Sequence, residues 1–344
     1  MSGRTLAVRA SGMMTGVGLS APAACVAIRC GLNNFAETRF MGGDGEWLVG
    51  SEAPLDPPWR GRAKLVHLAA PAIRECLDAL EGVDVAHVPL LLCVAEPDRP
   101  GRFDGIEDHL FGEIQDELGV QFHRSSKVVA RGRIGGALAV KGAADLIYRG
   151  RFPVCIVAGV DTYLVAGTLS MLERNQRLLT SENSNGFIPG EAGAAVLLGP
   201  PTGKSGELQV LGTGFGKETA TILSEEPLRA EGMVQAIKAA LTEAGLSMGD
   251  LDFRITDVNG EQYGFKEAAL ALSRILRVRK EEFDIWHPVE CVGEVGAAIV
   301  PIVLGVALAG HRKDYLVGPK VLCHFANDDG DRAAIVLQGE IREG

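Results

Sequence analysis

The chain has 344 residues and a formal net charge of −10, and 47% of its residues are hydrophobic. This length supports a large buried core, and the acidic balance with scattered arginines and lysines argues against nucleic acid as the main partner. The seven cysteines occur singly, without the paired Cys or Cys/His spacings of a zinc site, so we expect reduced thiols, no metal and no cofactor.

Two further features argue against a secreted or membrane-spanning protein. The N-terminal residues carry charges but lack the apolar core of a signal peptide. The longest apolar helix, predicted at residues 295–308, is too short to cross a bilayer. The sequence therefore predicts a cytoplasmic protein with no membrane span.

Strands and helices alternate in the first 200 residues. Short apolar runs predict strands at residues 6–10, 88–94, 127–130, 153–159 and 193–198. Amphipathic or apolar periodicity predicts helices at residues 21–30, 64–80, 105–118 and 134–147. The segment from residue 165 to Asn183 is predicted to be a loop.

The same order begins again after residue 200. Strands are predicted at residues 207–211, 253–258, 320–324 and 332–338, and helices at residues 228–244, 261–276 and 295–308. The helices and strands of the two halves correspond at an offset of roughly 165 residues, which indicates an internal duplication. We predict two halves of one compact unit, residues 1–200 and 201–344.

Each half contains one helix that is unusually rich in glycine and alanine. The helix at residues 134–147 offers almost no side chain to project, so it is stable only where other backbones pack closely around it. The strand that follows reads PVCIVAG, an apolar run without alternation that is typical of a strand covered on both faces. Two such units predict a five-layer α/β/α/β/α sandwich, with Arg133 at the N-terminus of the first buried helix.

Several motifs resemble those of the thiolase superfamily, specifically the β-ketoacyl synthases. The most specific is NGFIPGEAGAAVLL at residues 185–198, and SGMMTGVG at residues 11–18, ADLIYRG at residues 144–150 and GVDTYL at residues 159–164 agree with it. The resemblance covers essentially the whole chain, although the loops are shorter than is usual in the family. It implies an acyltransferase fold, with the duplication and the five layers already predicted.

The resemblance also implies a catalytic triad that this chain lacks. The family uses a Cys at the N-terminus of the first buried helix and two His from loops of the second half. Counting along the matching segments places Arg133 at the Cys position, Asn259 at the first His position and Glu294 at the second. Condensation should be lost, because a guanidinium neither attacks a thioester nor gives up its proton.

The replacements allow two hypotheses about the former active site. In the first, Arg133 pairs with Glu294, and with Glu261, and either anchors an anionic ligand or merely closes an obsolete pocket. In the second, a displaced couple of Cys291 and His324 performs chemistry of its own. The binding residues predicted from the sequence are therefore Arg133, Glu261, Glu294 and His324.

The resulting prediction is a non-condensing, synthase-like protein that acts as a binding or structural partner in acyl or polyketide-type metabolism or another assembly. The resemblance implies a homodimer, for which we expect a seam at the strand of residues 153–159. An acyl carrier protein or an active synthase is a further expected partner. The alternative is an acyltransferase or thioesterase-like enzyme that acts on acyl thioesters with non-standard residues.

Overall fold

The structure, a computed structural model, describes residues 4–339. The strands are β1 (Leu6–Thr15), β2 (Ala36–Met41), β3 (Trp47–Gly50), β4 (Leu90–Val94), β5 (Lys127–Ala130), β6 (Cys155–Thr162), β7 (Glu191–Gly199), β8 (Leu208–Lys217), β9 (Phe253–Thr256), β10 (Ile285–Trp286), β11 (Lys320–Ala326) and β12 (Asp331–Gly339). The helices are α1 (Ala21–Arg29), α2 (Gly61–Asp78), α3 (Phe111–Leu118), α4 (Gly135–Tyr148), α5 (Ala166–Arg174), α6 (Glu231–Ala244), α7 (Gln262–Ile275), α8 (Val289–Val292) and α9 (Ile299–Arg312).

The order of the strands repeats between the two halves. The first half contributes β1-β7-β6-β4-β5 and the second half contributes β8-β12-β11-β9-β10. The two groups are hydrogen-bonded where the beginnings of β1 and β8 run antiparallel, so the ten strands form one mixed sheet. The predicted internal duplication is confirmed by this order. The boundary at residue 200 stays a prediction, and it falls in the link between β7 and β8.

Alternating side chains divide the core into the predicted layers. In β4, Leu91 and Cys93 face the central helices α4 and α9, whereas Leu90 and Leu92 face α2. In β11, Cys323 faces the central helices, whereas its neighbour Leu322 faces α6. The five-layer α/β/α/β/α sandwich is therefore confirmed, with α4 and α9 in its middle.

Strands β1 and β8 are longer than the sequence predicts, because glycines that resemble turns lie within them. A Cβ at Gly12 would stand 1.9 Å from the carbonyl oxygen of Ala72 in α2, and a Cβ at Gly214 would stand 2.0 Å from that of Ala236 in α6. The glycines allow an outer helix to pack directly on the strand backbone. Strand β1 therefore continues past the first glycine of SGMMTGVG, and β8 continues past the first glycine of GTGFG at residues 212–216.

The duplication is irregular between β6 and β7. The predicted loop there contains α5 and a segment that returns to the sheet, whereas β11 and β12 are joined by a tight turn. The offset between β7 and β12 is therefore shorter than that of the other pairs. The second apolar helix also begins later than predicted, at Ile299, after a 3-10 turn at Gly296–Ala298.

The predicted seam at residues 153–159 is wrong. Strand β6 is paired on both sides, with β4 and β7, and all of its residues are buried. The two edges of the sheet are β5 and β10. A strand inside a sheet has no free backbone groups with which to pair a second chain, and an apolar run alone does not distinguish the two positions.

In the part of the chain that the structure describes, no helix has both the length and the hydropathy needed to cross a bilayer.

Candidate active site of the ketosynthase fold

The N-terminus of α4 is shaped by a strained turn. After β5 the chain passes through Gly132, whose φ of 52° is left-handed, into a single 3-10 turn at Gly132–Ile134. The left-handed φ favours glycine at this position, and a Cβ would also lie 2.4 Å from a carboxylate oxygen of Glu96, which would have to move. Asn327 holds the turn from the opposite loop, since its Nδ2 donates to the Arg131 carbonyl at 2.9 Å and its Oδ1 accepts from the Ile134 amide at 3.3 Å.

Arg133 projects from this turn into a buried ion-pair cluster. Its Nη1 lies 3.2 Å from Oε2 of Glu294, and its Nη2 donates to Oδ1 of Asp328. Arg133 is 8% exposed and Glu294 is 1% exposed, so this pair is removed from solvent. The predicted pairing of Arg133 with Glu294 is present in the structure.

Glu294 has its remaining hydrogen-bonding capacity filled. Its Oε2 accepts from Nδ2 of Asn259 at 2.9 Å, and its Oε1 accepts from the Gly296 amide at 3.1 Å. The structure thus brings together the three residues at the predicted triad positions, Arg133, Asn259 and Glu294. They make one continuous hydrogen-bonded chain across the two halves.

The motif at residues 185–198, which resembles that of the synthases, holds the loop of Glu294 in place. The Gly190 amide donates to the Glu294 carbonyl at 2.9 Å, and the Glu294 amide donates to the Ile188 carbonyl at 2.8 Å. The motif's own acid, Glu191, is fully buried against Lys64, with its Oε1 2.8 Å from Nζ. The motif therefore braces the loop of Glu294, which is a structural function independent of any catalysis.

The predicted contact of Glu261 with Arg133 is wrong. Glu261 pairs instead with Arg177, whose Nη2 lies 2.7 Å from its Oε2, and Arg177 also reaches Oδ2 of Asp328 at 3.1 Å. Asp328 therefore bridges the two arginines. Sequence reasoning missed Arg177 because it lies in the irregular segment after α5, which has no counterpart in the second half.

One signal in the sequence could have found Arg177. Three acidic side chains come from loops expected to converge, namely Glu261, Glu294 and Asp328, and Arg133 alone leaves two of them uncompensated. Buried carboxylates need cations or neutralisation, so a second arginine was required nearby. The sequence does not say which one, since the chain contains many arginines.

The electrostatics of the cluster follow from burial and pairing. Burial lowers the pKa of the Arg133 guanidinium, but Asp328 and Glu294 raise it more, so the pKa lies well above its usual value and the charge is permanent. Burial raises the pKa of the Asp328 carboxyl, yet Arg133 and Arg177 lower it further, and its net shift is downward. Asp328 is thus an ionised bridge, and the 41% exposure of its side chain also favours the charged form.

His324 and Cys291, the predicted alternative couple, have different neighbours. His324 is buried, with Nδ1 3.2 Å from Oγ1 of Thr256, and burial lowers the pKa of its imidazole to about 3. The Cys291 thiol lies 3.9 Å from the Ile28 carbonyl, and burial raises the pKa of that thiol to about 11. A neutral histidine and an unionised thiol on separate partners lack the contact that nucleophilic catalysis requires.

Another thiol lies close to the first turn of α4. A Cβ at Gly135 would stand 3.5 Å from the Cβ of Cys93. Cys93 is fully buried in the central core, and burial raises the pKa of its thiol far above the usual value. It is therefore an inert core residue in this arrangement.

The space left at the cluster is small. A cavity of about 40 Å³ is lined by Arg133, Arg177, Asn259 and Asp257, among others. This volume accommodates a few water molecules, whereas sites for drug-sized ligands span roughly 300–1,000 Å³. Asp257 is buried at its wall, and burial raises the pKa of this carboxyl to about 7.

Among residues 4–339 no group of three or more His, Cys, Asp or Glu side chains is arranged to hold a metal ion. The acidic turn at residues 327–330 is used for the contacts of Asn327 and Asp328 described above.

Solved structures with the same fold include a chain of the AntDE:AntF complex, titled as a type II polyketide synthase acyl-carrier protein in complex with its ketosynthase. That chain superimposes with a TM-score of 0.81 over 98% of this chain and 100% of its own length, at 14% sequence identity. The ishigamide ketosynthase/chain length factor superimposes with a TM-score of 0.80 at 15% sequence identity, over 98% of this chain and 100% of its own length. This chain has the ketosynthase fold.

A β-ketoacyl synthase from Burkholderia phymatum STM815 agrees, with a TM-score of 0.76 at 12% identity, covering 99% of this chain and all of its own. The ketosynthase fold is therefore complete here, despite the shortened loops. No protein-family model matches the sequence, and no curated protein matches it either. At these identities the structural likeness establishes the fold and leaves the activity to be argued from the site.

Proposed function

We propose that this ketosynthase-fold protein does not condense acyl thioesters and acts instead as a binding or structural partner, a pseudoenzyme of the fold. The observation that carries the proposal is the cluster around Arg133. A permanent cation stands at the N-terminus of α4, and the carboxylates of Glu294 and Asp328 neutralise it. No group in this arrangement combines nucleophilicity with access to a substrate.

The cluster favours closure of the pocket over anchoring of an anionic ligand. Both arginines are already paired with carboxylates, and the three acids outnumber the two bases. An incoming anion would have to displace a carboxylate into a cavity of only about 40 Å³. The local charge balance and the lack of space therefore both oppose an acyl or phosphate ligand at Arg133.

The partner role is supported by the kinds of assembly in which similar folds occur. The similar structures include a ketosynthase in complex with its acyl-carrier protein and ketosynthases with chain length factors. We infer that this chain pairs with a second ketosynthase fold, either its own copy or an active synthase. The free edge of β5 is the surface we assign to that pairing, in place of β6.

The test is intact-mass spectrometry after incubation with acetyl, malonyl and longer acyl thioesters of coenzyme A. We expect no stable adduct on the wild-type chain. Cys30 is the exposed cysteine among the seven, so a Cys30→Ser variant serves as the matched control for acylation of a surface thiol. An adduct that persists in Cys30→Ser, or turnover of the thioester by that variant, would support the acyltransferase or thioesterase alternative instead.

A further inference from the structure

A second and larger cavity lies beside the other edge of the sheet. Its volume is about 330 Å³, and it shares no lining residue with the cavity at Arg133. Its apolar and aromatic wall consists of Ile28, Trp286, Pro288, Val306 and Tyr315. This size and lining are those of a small-molecule site.

The aromatic side of the cavity is a stack of flat groups. The Trp286 ring packs on Phe253 with centroids 4.8 Å apart, and it faces Tyr315 with centroids 6.5 Å apart and planes inclined by 25°. Phe253 is fully buried, so it fixes Trp286 from the core side. The partly exposed Trp286 and Tyr315 rings therefore give the cavity a rigid aromatic wall, against which a planar molecule packs at little conformational cost.

The charged group at the rim is Arg29, which stacks on an aromatic ring and has no carboxylate partner among residues 4–339. The guanidinium of Arg29 lies 4.1 Å above the centre of the Tyr315 ring. It forms no ion pair or hydrogen bond with any side chain within residues 4–339, in contrast to Arg133 and Arg177. Stacking on the ring orients the guanidinium but leaves its N–H groups free to bind an anion.

The remaining polar side chains stand together at another part of the rim. His287 Nδ1 lies 3.4 Å from Oε2 of Glu290, so each already has a neighbour of suitable chemistry. Among the described residues neither of them forms an ion pair or hydrogen bond with Arg29. The site thus combines the Arg29 guanidinium, the His287–Glu290 pair, an aromatic wall and apolar side chains.

We propose that this cavity binds a small molecule with a planar, apolar body and a single anionic group. The body packs against Trp286 and Tyr315, and the anion accepts hydrogen bonds from Arg29. The assignment concerns a different part of the molecule from the Arg133 cluster and does not depend on whether the chain condenses acyl groups.

The experiment is isothermal titration of the full chain with 1-naphthoate and, separately, with 1-naphthylmethanol, which has the same rings but no charge. We expect naphthoate to bind more tightly to the wild type. Arg29→Gln should weaken naphthoate binding about tenfold or more and leave naphthylmethanol unchanged, because only a charge-assisted contact is lost.

Two further variants make the result specific. Arg39→Gln removes another exposed arginine that stacks on a ring, that of Phe40, and should change neither affinity. Ile28→Trp fills the cavity and should abolish binding of both probes, with circular dichroism as the check that the chain is folded. The proposal is overturned if naphthoate fails to bind the wild type at millimolar concentration, or if Arg29→Gln and Arg39→Gln have equal effects.

Discussion

Arg133 links loops that are distant in sequence. It contacts Glu294 before α9 and Asp328 after β11, and through Asp328 it is joined to Arg177. The buried charges of such a cluster need partners of opposite charge, because Arg133, Arg177, Glu261 and Glu294 have been taken out of water. Arg133, which we propose prevents condensation, therefore also stabilises the fold.

Replacing Arg133 with alanine should lower the free energy of unfolding by about 3 kcal/mol, since Glu294 would stay buried without its cation. The matched control is Arg131→Ala, whose side chain is 59% exposed and 3.8 Å from Asp331. Arg131→Ala should lower the free energy of unfolding by no more than about 0.5 kcal/mol. Urea denaturation of both variants checks this, and equal stabilities would contradict a buried pair at Arg133.

The buried carboxyl of Asp257 makes the free energy of unfolding depend on pH, and the direction of that dependence can be stated. Burial raises the pKa of this carboxyl from 3.8 to about 7, so the folded state binds its proton more tightly than the unfolded state does. The contribution of this carboxyl to the free energy of unfolding is fully favourable below pH 4, and it is lost as the pH rises through 7. The isosteric Asp257→Asn variant keeps an acceptor for the Ala326 amide and does not titrate.

We therefore expect Asp257→Asn to gain stability relative to the wild type by roughly 1–4 kcal/mol between pH 4 and pH 8. The control is Asp284→Asn at an exposed position, which should show no such trend. Urea denaturation at four pH values measures both. A difference that stays constant or shrinks with rising pH would show that folding does not raise the pKa of the Asp257 carboxyl.

At the scale of elements, the crossing of α4 and α9 depends on a missing side chain. A Cβ at Gly136 would lie 2.5 Å from the Cβ of Val300, whereas a Cβ at Gly142 in the same helix would meet Leu91 Cδ1 at 3.4 Å. Both positions are helical, so the two alanine substitutions gain the same helix propensity. Only their packing differs.

Gly136→Ala should therefore destabilise the chain by about 1–3 kcal/mol, because the two helices must separate. Gly142→Ala should be neutral or should stabilise by up to about 1 kcal/mol. Thermal denaturation of the two variants under the same conditions provides the comparison. If both changes stabilise, the two helices are less closely packed than the structure has them.

At the scale of the whole molecule, the free edge of β5 is the element that invites a partner. It pairs only with β4, and three of its four residues are half-buried while Lys127 is exposed. Unpaired backbone groups along a partly apolar edge favour pairing with another strand. The edge at β10 is two residues long and offers far less.

We expect light scattering to give a particle of twice the chain mass when the protein is studied without a partner. Hydrogen exchange should show the amides of residues 127–130 protected at high concentration and exposed on dilution. The amides of residues 285–286, at the opposite edge, are the internal control and should not respond. A monomer at tens of micromolar that exchanges freely at β5 would contradict self-association through this strand and leave an active synthase as the partner to test.

The sequence by itself determined the duplication and the central glycine- and alanine-rich helices. These follow from composition and periodicity, since a helix without side chains is stable only in the middle of a sandwich. The resemblance to β-ketoacyl synthases implied in addition that the loops of Arg133 and Glu294 meet.

Tertiary structure alone decided which strand lies at an edge, which arginine completes the cluster and which arginine stacks on the aromatic ring at the second cavity. An apolar run such as that of β6 is the same whether or not a neighbour lies on each side. Arg177 and Arg29 are ordinary arginines in the sequence, and what distinguishes them is the set of carboxylates or rings within a few ångströms. Those neighbours come from segments far apart in the chain, and no local pattern records the distances between them.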